Sequence, residues 1–239
     1  VPAGAVVTRG QLTGVYVIEA GRLSYRLVRV GIDRGGRVEI LSGLSAGEQV
    51  FIHGPSGSGK STLLNLLSGL LECRDGEISV LGARLNTMNS RQRDKFRANH
   101  IGYVFQRFNL IPYLSAIDNI ELARSFSARC ADRPTLRQTE DLLCSLKIEP
   151  SEWTRPCSRL STGQQQRVAI ARSLVNRPEI LIADEPTSSL DQENRDNFMS
   201  VLMPLLADHK MTLIFVSHDL SLAQYFPRVQ ALDEISEAI

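Results

Sequence analysis

The rhythm of hydrophobic and polar positions changes once along the chain. Over residues 1–52, short apolar segments at 14–18, 23–30 and 37–41 are separated by polar or glycine-bearing breaks at 19–21 and 33–36, which predicts short strands joined by turns. From Gly54 onward, nearly continuous apolar runs at 102–105, 179–183 and 212–216 alternate with stretches whose apolar residues recur at helical spacing. Buried strands alternating with helices predict an α/β fold with a parallel sheet, preceded by a β-rich segment. The helical spacing continues through 117–122 and 136–146, so a helical subdomain, about 107–162, is expected as an insertion in the core. No internal repeat or low-complexity segment interrupts this plan.

Composition changes the picture little. A chain of 239 residues that is 43% hydrophobic and 22% charged is long enough to bury a sizeable core. The formal net charge of +1 provides no global field toward nucleic acid or anionic lipid, and no nucleic-acid partner is expected. The basic run Arg91, Arg93, Lys95, Arg97 is interrupted by Asp94 and reads as a solvated helix face. Cys73, Cys130, Cys144 and Cys157 form no CxxC pattern and are expected as free thiols of a reducing compartment. No stretch approaches the roughly 18 uninterrupted apolar residues of a membrane-spanning helix, so any membrane span is expected from a partner. The opening residues 1–7 lack the charged start and long apolar core of a signal peptide, and a first residue Val1 suggests a fragment, a processed chain or an edited sequence.

The chemistry begins at Gly54, Pro55, Ser56, Gly57, Ser58, Gly59, Lys60 and Ser61, which follow the apolar Val50, Phe51, Ile52 and precede Thr62 and a leucine-rich run at 63–67. This is GxxxxGK[ST] with a strand before it and a helix after it. Glycines let the backbone curl so that successive N–H groups face one phosphate, and the helix start adds its positive dipole end. Lys60 is expected to reach the β- and γ-phosphates and Ser61 to offer its hydroxyl to Mg²⁺. The predicted nucleotide-binding set runs from Gly54 through Thr62.

Downstream, the apolar run 179–183 delivers Asp184 and Glu185 at its C-terminal end, where ligands of open α/β sheets bind. Asp184 is placed to hold Mg²⁺ directly or through water, and Glu185 is the candidate general base toward an attacking water. Ser161 and Gln164 stand in the S-x-x-Q spacing of a capping box ahead of an amphipathic run at 168–175. A helix start carrying a serine hydroxyl and the Gly163 N–H is also an anion site, and the two readings are compatible.

Five motifs in order resemble the ATP-binding cassette family over about residues 50–230: the loop from Gly54 to Ser61, Gln106 after Tyr103-Val104-Phe105, Leu160-Ser161-Thr162-Gly163-Gln164, Asp184-Glu185, and His218. The resemblance implies a P-loop NTPase (RecA-like) core that hydrolyses ATP with Mg²⁺. Gln106 would be a Mg²⁺ and water ligand, Ser189-Leu190-Asp191 a loop crossing to a second subunit, and His218 a contact to the γ-phosphate holding the water with Glu185. Ser161, Gly163 and Gln164 would face a phosphate bound to a second copy, in a head-to-tail homodimer through the nucleotide sites. Thr162 replaces the glycine of the commonest form of that signature. The stretch after Gln106, Leu70-Leu71 with Asp75-Gly76, and Ala183 through Thr187 are similar to the ATPase subunits of lipoprotein-releasing and macrolide-export systems. That likeness implies a transmembrane permease subunit docking after Gln106, with the chain peripheral at the cytoplasmic face of a bacterial inner membrane.

The first fifty residues resemble something else. Residues 1–7, 9–17, Tyr25-Arg26-Leu27-Val28-Arg29-Val30 and 38–48 are similar to the C-terminal part of periplasmic adaptor (membrane fusion) proteins of efflux pumps. This implies a chimera: an adaptor-like segment at 1–50, an ATPase domain at 51–239 that lacks its own first strands, and a connection to a periplasmic adaptor system. The alternative is a divergent opening hairpin of the ATPase. Tyr25 stands near the spacing of the family's adenine-stacking aromatic, but within the adaptor-like segment it reads as a strand-face tyrosine. The chain ends soon after His218, so shortened final strands are expected. Two rival functions remain, an inert adaptor–ATPase fragment and a non-transport ATPase of the same family. The short stretch between Gln106 and Ser161 leaves no room for the long coiled coil usual in the latter.

Overall fold

The computed structural model describes the backbone of residues 6–9, 12–19, 22–33, 38–43, 47–73, 78–127, 135–188, 190–208 and 211–232, with side chains described from residue 47 onward within those ranges except at 135 and 208. Two compact units divide the chain, one of Val1–Arg93 with His218–Ile239 and the other of Asp94–Ser217.

The first unit opens with four strands, β1 (Val6–Arg9), β2 (Leu12–Glu19), β3 (Arg22–Asp33) and β4 (Val38–Gly43), paired antiparallel in the order β1-β2-β3-β4. The β-rich opening is thus present, with one strand more than the apolar pattern predicts, because Val6–Arg9 has too few apolar residues to stand out. The register of β3 against β4 shifts between Arg29 and Val30 and again before Asp33, irregularities of the β-bulge kind that bend a strand. β5 (Gln49–His53) pairs in parallel with β11 (Arg228–Ala231), Val50 opposite Arg228 and Ile52 opposite Gln230. Phe51 is fully buried and packs on Phe226 with ring centroids 5.3 Å apart. At the start of this pair Arg228 reaches Glu48 at 3.0 Å. α1 (Lys60–Leu67) follows β5 through the glycine-rich loop, burying Leu63 and Leu64. A hairpin of β6 (Ser79–Val80) and β7 (Ala83–Arg84) completes the described part of the unit, its turn at Leu81 and Gly82 having φ of 52 and 77.

α2 (Ser90–His100) carries the basic run, of which Arg91 and Lys95 are exposed as on a solvated helix face, whereas Arg93 and Arg97 are only partly exposed; Arg97 pairs with Asp94 at 2.6 Å. In the second unit β8 (Ile101–Val104), β9 (Ile180–Asp184) and β10 (Thr212–Val216) run parallel with β9 in the middle. Their continuous apolar runs reflect burial on both faces: all of β8 is buried, as are the interior residues of β9 and nearly all of β10. β8 and β9 each lie one residue away from the apolar runs that predict them. Phe105 falls outside β8 and Asp184 inside β9, because ladder pairing and not hydropathy ends a strand.

α5 (Thr162–Leu174) packs on β8. A Cβ added at Gly102 would lie 2.5 Å from the Ser173 carbonyl oxygen and 2.9 Å from Leu181 Cδ1, so glycine is what lets helix and strand approach. The helical part contains α3 (Ala116–Ser125) and α4 (Thr135–Ser145). Ser115 and Asp118 close a reciprocal capping box at the start of α3. α4 ends where Lys147 turns to φ 56, with the Ile148 N–H donating to Leu143 O at 3.0 Å, a left-handed helix stop. α6 (Gln192–Asp208) follows β9 and contains Pro204. Ser189, Cys130, Asp75 and Gly76, the Tyr25 side chain and residues 233–239 lie outside the described residues. Among the described residues no helix is long and apolar enough to cross a membrane.

Candidate functional site

In the first unit the site is built on the exit from β5. Gly57 and Gly59 take φ of 81 and 96, a region costly to residues with a Cβ. A Cβ on either would meet nothing within 4 Å. Conformation, not crowding, therefore demands these glycines, and this side of the loop is left open to an approaching group. Gly54 is different: a Cβ there would lie 2.9 Å from Ser58 Oγ and 3.4 Å from Leu232 Cβ. The loop folds on itself through Ser58 N–H to Pro55 O at 3.3 Å, and α1 starts with Leu63 N–H to Gly59 O at 2.9 Å.

Lys60 is 6% exposed, and its Nζ donates to Gly54 O at 2.8 Å and Pro55 O at 2.7 Å. The loop carbonyls thus hold the ammonium over the loop. Ser58 Oγ is buried and has no hydrogen-bond partner among the described residues, an uncommon state for a hydroxyl that an anionic oxygen would relieve. Pro55, Ser56, Ser61 and Thr62 are exposed. With the dipole end of α1, these features fit a bound phosphate. His218 belongs to the same unit, exposed, ahead of a 3₁₀ turn at Leu220–Tyr225 that Asp219 caps by accepting the Ser221 N–H at 3.0 Å.

In the second unit, Asp184 ends β9 and Glu185 follows with φ 45, a left-handed conformation costing about 1–2 kcal/mol for a non-glycine residue. Its N–H donates to Val216 O at 2.8 Å, so the turn is tied to the end of β10. Asp191 caps α6, its carboxylate accepting the Asn194 N–H at 2.9 Å and Asn194 Nδ2 at 3.0 Å. Gln106 stands exposed just after β8. The Tyr103 hydroxyl donates to Asp184, and burial, then the Asp184 charge, raise its pKa well above the usual phenol range. Ser161 and Gln164 form the expected reciprocal capping box at the start of α5, and Gln164 Nε2 also donates to Glu152. A Cβ on Gly163 would meet nothing within 4 Å.

Other residues position these groups without any motif to flag them. Gln166 is 1% exposed and donates to Pro186 O at 2.7 Å, tying α5 to the turn after Glu185. Asn119, 2% exposed, accepts the Ile111 N–H at 2.8 Å and donates to the carbonyls of Ile111 and Ser115, both at 3.0 Å. Its Nδ2 also lies 3.3 Å from Cys157 Sγ, joining the segment after Gln106 to the one before Ser161. Arg172 donates to the carbonyls of Phe108 and Asn109 at 2.6 and 2.5 Å, where both residues have positive φ. The one sequence signal for Gln166 and Asn119 is a polar residue on the apolar face of an amphipathic helix.

Among the described residues no group of three or more His, Cys, Asp or Glu is placed to hold a metal. The Asp184 carboxylate, the Gln106 amide oxygen and the Ser61 hydroxyl are nevertheless hard oxygen donors. Each of them, taken within its own unit, is of the kind that suits Mg²⁺, which binds through one or two carboxylates and keeps its remaining positions for water and phosphate.

Residues 39–188 match the ABC transporter family, and residues 1–56 match the C-terminal permuted SH3 domain of RND membrane fusion proteins. The chain is 42% identical over 185 residues to the macrolide export ATP-binding/permease protein MacB of Pasteurella multocida, covering 77% of this chain but only 28% of that protein. It is 40% identical over 188 residues to the ABC transporter ATP-binding protein MJ0796 of Methanocaldococcus jannaschii, covering 78% of this chain and 80% of the relative. The lipoprotein-releasing system ATP-binding protein LolD of Psychrobacter arcticus is 38% identical over 189 residues, covering 77% of this chain and 83% of that one. A solved dimeric structure of the MJ0796 cassette in a post-hydrolysis state, bound to ADP and Pi, superposes with a TM-score of 0.75 at 33% identity over 96% of both chains. The α/β fold with its glycine-rich loop and acidic strand end is thus that of a P-loop NTPase cassette, and the chain belongs to the ABC transporter family.

Proposed function

We propose that this chain binds and hydrolyses ATP as the nucleotide-binding subunit of an export or lipoprotein-releasing complex. The observation that carries the reading is a phosphate loop with an open glycine side, a buried lysine and an unpaired buried serine hydroxyl, in a member of the ABC transporter family. The loop N–H groups and Lys60 bind the triphosphate, with Gly54 through Thr62 forming its cradle. Ser61, Gln106 and Asp184 would hold Mg²⁺ through oxygen, and the ion would compensate charge on the phosphate oxygens. Glu185 accepts a proton from the attacking water, and His218 helps hold that water and contacts the γ-phosphate. Ser161, Gly163 and Gln164 act on nucleotide bound to a second copy, which makes the active form a homodimer.

The partner is a transmembrane permease subunit docking on the segment after Gln106, with the chain at the cytoplasmic face of an inner membrane. The domain plan is an adaptor-like segment at 1–50 and an ATPase domain at 51–239, with its helical subdomain at about 107–162. The adaptor-family match of residues 1–56 supports a link to a periplasmic adaptor system. It also keeps a second reading, an adaptor–ATPase fragment whose cassette is inert.

Size-exclusion chromatography of the Glu185→Gln protein with and without Mg-ATP tests the reading. Loss of hydrolysis and an ATP-dependent shift to dimer are expected. Unchanged hydrolysis would remove Glu185 from its role, and a monomer that binds no ATP would leave the inert fragment.

A further inference from the structure

We infer that Tyr103 is a positioning residue for Asp184, its phenol hydroxyl holding the carboxylate in one orientation from the neighbouring strand. This rests on the proposed role of Asp184 as a magnesium ligand.

The register of β8 against β9 sets Tyr103 opposite Ile182. Asp184 is two residues further along β9, so it projects from the same face as Ile182 and Tyr103. The Tyr103 hydroxyl takes up that proximity and donates to the Asp184 carboxylate. β8 is buried along its whole length, and Tyr103 is 8% exposed. An apolar residue would fill such a place without the cost of a polar atom. The hydroxyl is retained there with its partner at the end of the adjacent strand, not in water. The ring is also stacked on Phe105, with centroids 4.2 Å apart and planes at 27°. A ring held this way fixes where its hydroxyl points, and a hydrogen bond to an ionised acceptor is among the stronger ones. A carboxylate so engaged keeps lone pairs for an ion while losing rotational freedom. Partners behind a metal ligand act in this manner, and their removal typically costs 10–100-fold in metal affinity or activity.

The test measures Mg²⁺-dependent binding of a fluorescent ATP analogue by the full chain in the Glu185→Gln background, where hydrolysis does not intervene. Tyr103→Phe keeps the ring and its stack on Phe105 and removes only the hydroxyl. The half-saturating Mg²⁺ concentration is expected to rise roughly tenfold, while analogue binding in excess EDTA stays unchanged. In a background that also carries Asp184→Asn, Tyr103→Phe should add no further shift, since it acts through that carboxylate. An unchanged or lowered half-saturation in Tyr103→Phe, with Asp184→Asn raising it, overturns the inference alone. Additive shifts also overturn it. If Asp184→Asn leaves the Mg²⁺ dependence unchanged, the ligand role of Asp184 falls and the inference falls with it.

Discussion

Replacing Asn119 with alanine should destabilise the second unit out of proportion to the few atoms removed. The side chain is 2% exposed and makes three hydrogen bonds of ordinary length, accepting from the Ile111 N–H at 2.8 Å and donating to Ile111 O and Ser115 O, both at 3.0 Å. The Ser115 carbonyl keeps the Asn119 backbone N–H at 3.0 Å, so truncation does not orphan it. The Ile111 N–H does lose the carboxamide, as does its carbonyl. A made bond contributes about 1 kcal/mol net, and a buried donor left unsatisfied costs about 1–3 kcal/mol. A loss of about 3 kcal/mol is therefore expected, a large share of the 5–15 kcal/mol typical of a domain. Urea unfolding of Asn119→Ala against the parent gives the number, and limited proteolysis locates it: new cleavage should fall between residues 106 and 115. A loss below about 1 kcal/mol, or new cleavage confined elsewhere, would refute the view that Asn119 clamps this segment.

Gly102→Ala places a methyl 2.5 Å from the Ser173 carbonyl oxygen, a backbone atom that cannot swing aside; a loss of about 1–3 kcal/mol is expected, and an unchanged urea midpoint would show that α5 yields freely. Cys157 is 1% exposed, and burial raises its thiol pKa against the opposing influence of Arg172 and Asn119, whereas Cys144 is exposed. Because the thiolate is the reactive form, maleimide labelling near neutral pH should modify Cys144 and spare Cys157 until the protein unfolds. Raising the pH by one unit should still leave Cys157 unlabelled in the folded protein, and peptide mapping by mass spectrometry that found equal labelling of the two would contradict the burial of Cys157.

The parts of the site that backbone conformation imposes on residue choice were readable in the sequence. Gly57 and Gly59 must be glycine because φ is positive at both, and a motif pattern records that requirement. Ser161 and Gln164 announce a capping box because only certain side chains close one. Glu185 also adopts positive φ, yet nothing in its residue type predicts this, since a residue with a Cβ ordinarily avoids that region. Residues that act through tertiary contact were not legible. Tyr103 looks like any strand aromatic until β9 is set beside it, and Arg172 looks like a surface charge until its two carbonyl partners appear. The helical subdomain was visible as spacing at 117–122 and 136–146. Its linkage to the signature segment through Asn119 and Cys157 depends on residues 38 apart in sequence, which periodicity does not register.

At the opening of the chain two family matches overlap. The adaptor-family match covers 1–56 and the cassette match 39–188, so both claim β5 and all of β4 but its first residue. The backbone divides that shared stretch: β4 stays in the antiparallel sheet with β1 to β3, whereas β5 pairs in parallel with β11 and leads into the phosphate loop. The change of partner therefore falls between Gly43 and Gln49. The phosphate loop requires of its upstream neighbour only an apolar strand after a tight turn, and residues 47–52 meet that need for either family. Gly47 has the positive φ of such a turn, Glu48 is anchored by Arg228, and Val50, Phe51 and Ile52 are buried. The β5–β11 pairing and the Glu48–Arg228 contact depend on the segment from 228 to 231, which lies far beyond the adaptor match. The strand that leads into the phosphate loop is thus held by a segment that lies outside the adaptor match.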